Sequence, residues 1–503
     1  MIEIMDTTLR DGEQTAQVSF STQEKVSLVH LLLEDLGVNR IEIASARVSN
    51  GEFDTVKKIA AWATHAGHID KIEILGFIDK GASLNWIKDA GCRTINLLTK
   101  GSYKHVTEQL RKTPEQHLKD IVAEIELAEK MGVTVNLYLE DWSNGIIHSE
   151  DYVYFLMDTL KDLPIKRFML PDTLGILNPH STWRCCRRMT SRYPHLHFDF
   201  HAHNDYDLAV ANTMVAAEVG VKGVHVTMNG LGERAGNASL ASVVAVFHDQ
   251  LNLKTSIKEE EINKVSRVVE SYSGQTIASN QPIVGENVFT QCAGIHADGD
   301  NKNNLYYNEL YPERFGRVRE YALGKLSGKA NIRKNIEALG IELNETEMAK
   351  VTNRVIELGD KKEIITQSDL PFIISDVLKH DEVEKKIKIK SFAFVLAKGV
   401  RPSATVRVDI NGEEYEWTAP GDGQYHAFSK ALWKIYTRLD KPKPELLNYT
   451  VFIPPGGRTD ALVQTIITWR FNGKDFKTSG LDADQTESAV KATEKMLNLI
   501  EDM

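Results

Sequence analysis

The sequence is poor in cysteine, has no long apolar run and carries no excess of basic residues. Its 503 residues contain 4 cysteines and no Cys-x-x-Cys pair, so we expect neither a disulfide framework nor a zinc site. The thiols are predicted to be reduced, and Cys292 to be buried. No segment reaches the roughly 18 apolar residues that cross a membrane, and no basic leader precedes the first apolar segment. We therefore predict a cytoplasmic protein with no membrane partner.

Composition and charge indicate a globular protein whose main partner is not nucleic acid. Sixty Lys and Arg residues against 70 Asp and Glu give a net charge of −10, which argues against nucleic acid as the main partner. Hydrophobic residues make up 42% and charged residues 26%, the usual balance of a globular protein. The length predicts roughly three domains, so a lone small binding module is excluded.

The first 250 or so residues alternate short apolar or β-branched runs with longer segments of helical periodicity. Eight strands are predicted, at residues 2–6, 40–44, 71–77, 94–99, 134–140, 167–172, 197–203 and 223–228. An open doubly wound sheet is the alternative, but it usually has a glycine-rich phosphate turn after its first strand, where this sequence has Thr-Thr-Leu-Arg-Asp-Gly-Glu-Gln. We therefore predict an α/β fold with a TIM (β/α)8 barrel over residues 1–263 and its active site at the carboxyl ends of the strands.

The remainder of the chain changes character twice. Residues 264–386 are predicted to form a linker and small helical subdomains, including an irregular, polar stretch over residues 279–319. From residue 387 to 503 the apolar period becomes two, and Asn411-Gly412 and Asn472-Gly473 are typical turns of two hairpins. Two helices, at residues 425–439 and 486–500, complete a predicted α+β domain that is suited to regulation or dimerisation.

Strand seven contains the strongest chemical signal. Its alternation places Asp199, His201 and His203 on one face, and the carboxylate of Asp11 follows strand one. Two imidazoles and a carboxylate form a divalent-metal site with positions open to substrate. The same set also suits an Fe(II) oxygenase, and histidines alone serve as polar strand ends, so an inactive barrel that senses a metabolite is a further alternative.

Strand five places Tyr138 and Glu140 on one face. Glu140 is then either a base in the barrel mouth or an ordinary solvated carboxylate at the end of a strand. Leu75 and Leu98 are core leucines unless the ends of their strands line a pocket.

Three segments together carry a resemblance to a known family: Met5-Asp-Thr-Thr-Leu-Arg-Asp-Gly-Glu-Gln14, His201-Ala-His-Asn-Asp205 and Asn229-Gly-Leu-Gly-Glu-Arg-Ala-Gly-Asn237. The sequence resembles the acetyl-CoA-dependent 2-oxoacid condensing enzymes, which are acyltransferases and comprise the isopropylmalate, citramalate and homocitrate synthases. Ile43-Ala-Ser-Ala-Arg-Val-Ser49 and Leu137-Tyr-Leu-Glu-Asp-Trp-Ser-Asn144 are most similar to the citramalate-forming branch. Isopropylmalate synthases more usually have Gly-Phe-Pro after strand two.

The resemblance implies roles for individual residues. Asp11, His201 and His203, with Asn237 as a further ligand, would bind Mn²⁺, Mg²⁺ or Zn²⁺, and Asp11 would also lie against the substrate. Thr173 would hold the substrate carboxylate and Arg10 would stabilise charge developing on an oxygen. Glu140 and His296 are the two candidates for the general base. The linker would reach the active site of the partner subunit and would bring the following residues with it: His296, Asp298, Asn304, Leu305 and Tyr306.

The resemblance also implies substrates and control. Leu75, Leu98 and Tyr138 would form a side-chain pocket that suits the methyl group of pyruvate, whose condensation with acetyl-CoA gives (R)-citramalate for isoleucine synthesis. The alternative is 2-oxoisovalerate, which gives 2-isopropylmalate for leucine synthesis; a homocitrate synthase is less favoured. The implied assembly is a homodimer inhibited by a branched-chain amino acid. The predicted lining residues are Tyr425, Tyr449, Thr459 and Asp460.

Overall fold

Eight short strands pair in parallel and close into a barrel. In the computed structural model these strands are β1 Glu3–Asp6, β2 Arg40–Ser45, β3 Ile72–Phe77, β4 Thr94–Lys100, β5 Thr134–Glu140, β6 Ile165–Asp172, β7 Phe198–Ala202 and β8 Gly223–Val226. Neighbours follow chain order, and β8 returns to β1 with Glu3 opposite Gly223 and Asp6 opposite Val226. The predicted TIM barrel is confirmed, and the open doubly wound sheet was the wrong alternative because this sheet closes on itself.

The structure describes residues 2–292, 299, 305, 308–339, 341–360, 365, 367–378, 386–452, 463–482 and 484–501. These residues fall into two units: Met1–Phe289 with Asn308–Val318, and Thr290–Tyr307 with Arg319–Met503. The first unit contains the barrel. The second contains small helices and two antiparallel sheets. The three domain ranges, 1–263, 264–386 and 387–503, stay a prediction.

Ten helices are described in the first unit, most of them on the outside of the barrel. They are α1 Thr22–His30, α2 Asn50–His65, α3 Ala82–Asp89, α4 Pro114–Met131, α5 Trp142–His148, α6 Glu150–Leu160, α7 Pro179–Arg192, α8 Ala209–Glu218, α9 Leu240–Leu251 and α10 Ile262–Ser273.

Helix α4 illustrates how the sequence sets the helix ends. Thr113 and Gln116 form a capping box, Pro114 occupies the first turn and Gly132 ends the helix with a left-handed φ of 71°. Ile121, Ile125 and neighbours at helical spacing are buried, so one face of α4 packs on the barrel.

The barrel interior is filled partly by paired charges. Arg40 on β2 donates to Glu73 on β3 at 3.0 Å and to Asp199 on β7 at 2.5 Å, and all three side chains are buried. Arg167 on β6 donates to Glu3 on β1 at 2.8 Å. Because these charges have opposite partners, β1, β2, β3, β6 and β7 can carry them without leaving Arg40, Glu73 or Asp199 as an unpaired buried ion.

The second unit begins with a small two-stranded parallel pair and three helices. Its elements before residue 380 are β9 Thr290–Gln291, β10 Glu320–Tyr321, α11 Lys329–Ala338, α12 Glu345–Asp360 and α13 Leu370–Leu378. The three helices have their own apolar core, which includes Ile332, Met348 and Leu370. The predicted helices of this region are present.

The C-terminal domain consists of two antiparallel meanders, each followed by a helix. The elements are β11 Ile387–Val395, β12 Ser403–Ile410, β13 Glu413–Pro420, α14 Gln424–Arg438, β14 Glu445–Phe452, β15 Val463–Phe471, β16 Lys474–Asp482 and α15 Gln485–Glu501. Asn411 and Gly412, with φ of 54° and 89°, form the predicted hairpin turn. Apolar side chains from both sheets and both helices, including Val406, Phe428 and Trp469, form one core, which confirms the α+β prediction.

All four cysteines are free thiols, as predicted, but their burial differs. Cys92, Cys185 and Cys186 are buried. Cys292 is exposed, so the prediction that it is buried was wrong. It follows the two-residue strand β9, whose own residues are only half-buried. Within the described part of the chain, no helix combines the length and apolarity that crossing a membrane requires.

Candidate active site

Asp11, His201 and His203 meet at the carboxyl end of the barrel strands. Asp11 lies in the loop after β1, His201 lies on β7 and His203 follows that strand. The Oδ2 atom of Asp11 lies 3.1 Å from Nε2 of His201 and 3.9 Å from Nε2 of His203, and the two Nε2 atoms are 3.3 Å apart. All three side chains are buried. The alternation of β7 therefore brings both imidazoles to the same carboxylate, as the sequence predicts.

The ionisation of the three groups suits metal binding. Burial alone would raise the pKa of Asp11, but Arg10 and the two histidines hold that pKa well below its usual range, so the carboxylate is charged. Burial lowers the pKa of His201, and burial together with His201 lowers the pKa of His203 to about 4. Both imidazoles are therefore neutral at pH 7, with a lone pair available to a cation.

These residues fit a divalent metal. Among the described residues, Asp11, His201 and His203 are the group whose ligand atoms all lie within 4.8 Å of one another. Asn237 pairs with His203 across an isolated antiparallel bridge, and its buried Oδ1 atom accepts no hydrogen bond within the described part of the chain. A buried amide oxygen without a donor beside two neutral imidazoles and a carboxylate is a set that could hold a cation.

Arg10 is fixed beside the same group. Its Nη1 atom lies 3.3 Å from Oδ1 of Asp11, its Nε donates to buried Glu42, and its Nη2 donates to the hydroxyl of Tyr138 at 3.4 Å. Burial alone would lower the pKa of Arg10, but Asp11 and Glu42 raise it above its ordinary value. A guanidinium held at three points can face an anionic substrate without reorganising.

Glu140 ends β5 and is paired with Lys100, the last residue of β4. Lys100 Nζ donates to Glu140, and the backbone N–H of Gly101 donates to the carbonyl of Glu140 at 2.6 Å. A Cβ added at Gly145 would lie 2.0 Å from the Gly101 carbonyl oxygen, so only glycine fits this close approach. The carboxyl ends of β4 and β5, which carry Lys100 and Glu140, are therefore held together.

Thr173 follows β6, and two neighbouring loops fix it in place. Its Oγ1 accepts a hydrogen bond from the backbone N–H of Asp141 at 2.9 Å, which leaves its own proton free to be donated. Its carbonyl accepts from Arg234 at 2.8 Å, and Arg234 also binds both carboxylate oxygens of Asp205. Arg234 therefore joins the loops after β6, β7 and β8.

Leu75, Leu98 and Tyr138 lie in one apolar cluster inside the barrel, separate from the main core. Met5 and Met169 complete the cluster. The ring of Tyr138 lies edge-on to the imidazole of His201, with the ring centroids 6.2 Å apart. The predicted pocket residues are thus brought together next to the Asp-His-His group.

Several predicted residues lie outside the described part of the chain: His296, Asp298, Asn304, Tyr306, Thr459 and Asp460. Their roles stay predictions. Leu305 is described, and its side chain is 69% exposed. In the C-terminal domain, the rings of Tyr425 and Tyr449 lie 5.1 Å apart, so this predicted regulatory pair is brought together.

Sequence reasoning missed residues that support the site from within. Met5 and Met169 were not assigned to the pocket, and the partners of Arg10, Glu140 and Tyr138 were not identified. The charged residues at alternate positions of β2, Arg40 and Glu42, were an available signal, because alternate residues of a barrel strand share the inward face.

The protein contains a closed (β/α)8 barrel. Its buried Asp-His-His group lies at the carboxyl ends of the strands, where barrel enzymes have their active sites, and fits a divalent metal. Comparison with known families gives a narrower class. The HMGL-like family matches residues 1–269, the homocitrate synthase post-HMGL domain-like family matches residues 283–363, and the LeuA allosteric (dimerisation) domain matches residues 364–501.

Two relatives from Methanocaldococcus jannaschii match nearly the whole chain. One is an (R)-citramalate synthase, 33% identical over 99% of both chains, and the other a 2-isopropylmalate synthase, 32% identical over 99% of this chain and 94% of the relative. The chain belongs to the HMGL-like family and, within it, to the 2-alkylmalate synthases. Because the two identities are nearly equal, they do not select the substrate.

Among solved structures, the HMG-CoA lyase of Bacillus subtilis aligns with 56% of this chain and 96% of its own, at 21% identity and a TM-score of 0.49.

Proposed function

We propose that the protein condenses acetyl-CoA with pyruvate and releases (R)-citramalate and CoA. The methyl carbon of acetyl-CoA loses a proton and attacks C2 of pyruvate, so that a C–C bond forms and the keto oxygen becomes a hydroxyl group. Water then cleaves the thioester, which leaves a carboxylate and free CoA. The observation that carries the substrate choice is the pocket of Leu75, Leu98 and Tyr138, which is closed by an aromatic ring beside the Asp-His-His group.

A divalent metal held by Asp11, His201 and His203, with Asn237 as a further ligand, would act as a Lewis acid on the 2-oxoacid. Arg10 is placed to stabilise negative charge on the former keto oxygen, because its guanidinium is fixed next to Asp11. The free hydroxyl proton of Thr173 is available to the substrate carboxylate.

The proton of the acetyl methyl group needs a base. The side chain of Glu140 is 24% exposed and can meet a substrate, and Lys100 holds it in position. His296, outside the described residues, is the other candidate. If His296 is the base, Glu140 still has a function, because it is the carboxylate partner of Lys100 at the barrel mouth.

The test is a thiol-release assay on the purified protein with acetyl-CoA and either pyruvate or 2-oxoisovalerate at equal concentration. We expect faster release with pyruvate, because the small pocket crowds an isopropyl group. The isopropyl group has two more carbons than the methyl group of pyruvate, and each added methylene changes selectivity by only about 10- to 200-fold. Some turnover of 2-oxoisovalerate is therefore compatible with the proposal. Faster turnover of 2-oxoisovalerate would instead favour leucine synthesis, as expected from the relative that makes 2-isopropylmalate.

We further propose that the C-terminal domain binds a branched-chain amino acid and joins two chains in a homodimer. The match to the LeuA allosteric (dimerisation) domain supports both parts. Tyr425 donates or accepts at 2.7 Å with Thr493, and its ring packs against Tyr449, so two half-buried aromatic rings are available to an aliphatic side chain. Val395, Leu396 and Val400 are exposed apolar residues at the end of β11, where a second chain could cover them.

Isoleucine and leucine should be compared as inhibitors of wild type and of Tyr449→Ala. We expect the substitution to weaken inhibition while the uninhibited rate is retained, since Tyr449 lies outside the barrel unit. Light scattering should give the mass of two chains. Unchanged inhibition in the variant would contradict the assignment of this tyrosine pair, and a monomer would contradict the proposed assembly.

A further inference from the structure

Tyr138 is held from behind by a buried histidine and aspartate. Its hydroxyl lies 3.0 Å from Nδ1 of His225 on β8, and Nε2 of His225 lies 3.1 Å from Oδ2 of Asp199 on β7. All three side chains are buried, and the condensation described above gives neither His225 nor Asp199 a chemical step. We infer that His225, oriented by Asp199, is a positioning residue that fixes Tyr138 and thereby sets the substrate preference of the pocket.

The hydrogen bonds determine which nitrogen of His225 carries the proton. Asp199 accepts from Arg40 at 2.5 Å and lies 3.0 Å from His197, and these cationic and polar partners keep it ionised. A carboxylate can only accept, so Nε2 of His225 must donate to it.

The second nitrogen is then an acceptor. A neutral imidazole carries a single N–H, and in His225 that N–H is on Nε2, which lies 3.1 Å from Asp199. Its Nδ1 atom can therefore only accept, and the neighbouring donor is the hydroxyl of Tyr138.

The hydrogen bond from Tyr138 to His225 turns the hydroxyl proton of Tyr138 away from the pocket. A phenolic hydroxyl has one proton, and here that proton is directed at His225, while the oxygen accepts from Arg10 at 3.4 Å. The hydroxyl of Tyr138 then has no proton to donate towards Leu75, Leu98 or Met169. Arg40 donates to the Sδ atom of Met5 at 3.2 Å, and the other side chains of the cluster are apolar. Since the hydroxyl is held on two sides, the ring cannot turn aside to admit a larger substrate.

Tyr138 also contacts Arg10, so the residue that shapes the substrate pocket is linked to a residue proposed to act in the condensation. Arg10 is shared between Asp11, Glu42 and Tyr138, so movement of the Tyr138 hydroxyl removes one of the three contacts of the guanidinium. Loss of the His225 contact should therefore affect substrate choice first and the rate with pyruvate second. This inference rests on the proposed condensation of acetyl-CoA with a 2-oxoacid.

The test compares His225→Phe with His225→Gln. Phenylalanine retains the ring volume but neither hydrogen bond. Glutamine retains an amide oxygen that can accept from Tyr138 and an NH₂ group that can donate to Asp199. For each protein we would measure kcat and KM with pyruvate and with 2-oxoisovalerate, and the melting temperature as a check of folding.

We expect His225→Phe to lower the preference for pyruvate, expressed as the ratio of the two kcat/KM values, by about tenfold, the lower end of what one methylene contributes. His225→Gln should restore most of that ratio. A purely structural role would lower both kcat/KM values together and leave the ratio unchanged, which would overturn the inference. If His225→Phe does not fold, Tyr138→Phe removes the hydroxyl alone and should shift the ratio in the same direction; an unchanged ratio there would also overturn it.

A second measurement does not depend on activity. The ¹⁵N resonances of labelled histidine, assigned to His225 by their absence in His225→Gln, should show a neutral ring protonated at Nε2. A proton on Nδ1 would overturn the inference whatever the substrate proves to be. If wild type releases CoA with neither 2-oxoacid, the proposed condensation fails and the selectivity role fails with it, whereas normal turnover with an unchanged ratio in the variants contradicts the role of His225 alone.

Discussion

The barrel interior contains buried charges beside its apolar side chains, whereas the core of the C-terminal domain is an apolar cluster. Inside the barrel, Arg40, Glu73 and Asp199 meet as buried charges, and His225 extends this network to Tyr138. The core of the C-terminal domain is a continuous apolar cluster that includes Val406, Phe428, Leu432 and Trp469, among others.

The difference shows what each interior is suited to. Buried charges cost free energy unless they are paired, so a charged interior contributes little net stability, but it fixes the ionisation state and direction of each side chain. That property suits a site in which Arg10, Asp11 and Tyr138 must be held ready for a substrate. An apolar core stabilises in proportion to its buried area and has no such directional demand, which suits a domain for assembly and control.

The largest effect should come from the charged region. His203→Ala removes one of the two imidazoles that face Asp11 and should abolish tight binding of Mn²⁺. The loss of even an outer partner of a metal ligand costs about 10- to 100-fold in metal affinity or activity, so we expect CoA release to fall by more than about 100-fold. Titration calorimetry with Mn²⁺ and the thiol-release assay measure the two effects.

The matched control is His180→Ala, which removes an exposed histidine from the first turn of α7. It should retain both metal binding and activity. If His203→Ala binds Mn²⁺ as tightly as wild type, the metal is held by other residues.

The second prediction concerns stability. Arg40→Met keeps much of the side-chain volume but leaves Asp199 and Glu73 buried without their cation. Removing one partner of a buried ion pair costs about 3–5 kcal/mol. Urea denaturation should therefore show a loss of that size in the free energy of unfolding of the barrel unit.

The control for Arg40 is Arg93→Met, because Arg93 pairs with Asp70 on the surface, where the two side chains are 59% and 76% exposed. Such pairs contribute about 0–1 kcal/mol. Equal losses in Arg40→Met and Arg93→Met would contradict the view that the barrel interior depends on paired charge.

Periodicity alone placed the eight barrel strands and most of the C-terminal elements, because alternating burial in a strand and three-to-four spacing in a helix are local properties. The strand at Thr134–Glu140 has the predicted bounds, and β6 begins two residues before the predicted start. Parity on β7 was also sufficient to place His201 and His203 together, and the motif after β1 supplied Asp11. These features depend on neighbours within one strand.

The supporting residues could not be predicted in the same way. The contact between His225 and Tyr138 joins β8 to β5, and that between Arg40 and Asp199 joins β2 to β7. Such contacts follow from barrel closure, strand tilt and register, which no local pattern encodes. The pairing of Lys100 with Glu140 lies between neighbouring strands in direct register, so it could have been inferred once the barrel was accepted.

The third prediction tests the apolar region. Leu432 is fully buried in the C-terminal core. Leu432→Met is a volume-conserving exchange and should cost less than about 1.5 kcal/mol, whereas Leu432→Ala should cost about 2–5 kcal/mol. Calorimetric unfolding of both variants measures these losses. An equal loss in the free energy of unfolding for Leu432→Met and Arg40→Met would contradict the view that the barrel interior depends on charge and the C-terminal core on apolar volume.

The fourth prediction is a pH dependence that belongs to the barrel unit. His117 on α4 is buried and bonds through Nδ1 to the hydroxyl of Tyr152 at 2.8 Å, and Tyr152 in turn donates to the carbonyl of Lys100. Burial, assisted by Lys112, lowers the pKa of His117 from 6.5 to about 4. Between these two values the unfolded chain binds a proton that the folded chain does not, so acidification favours unfolding.

The free energy of unfolding should therefore decrease as the pH falls from about 6.5 to about 4, by up to about 1.4 kcal/mol per pH unit from this group. His117→Gln cannot titrate, so the difference between wild type and variant should change across this window and stay constant above pH 7. Leu432→Met, which removes no titratable group, should run parallel to wild type at every pH. A parallel course for His117→Gln would mean that the folded protein binds the proton as readily as the unfolded chain, and that the support of Lys100 by His117 and Tyr152 survives protonation.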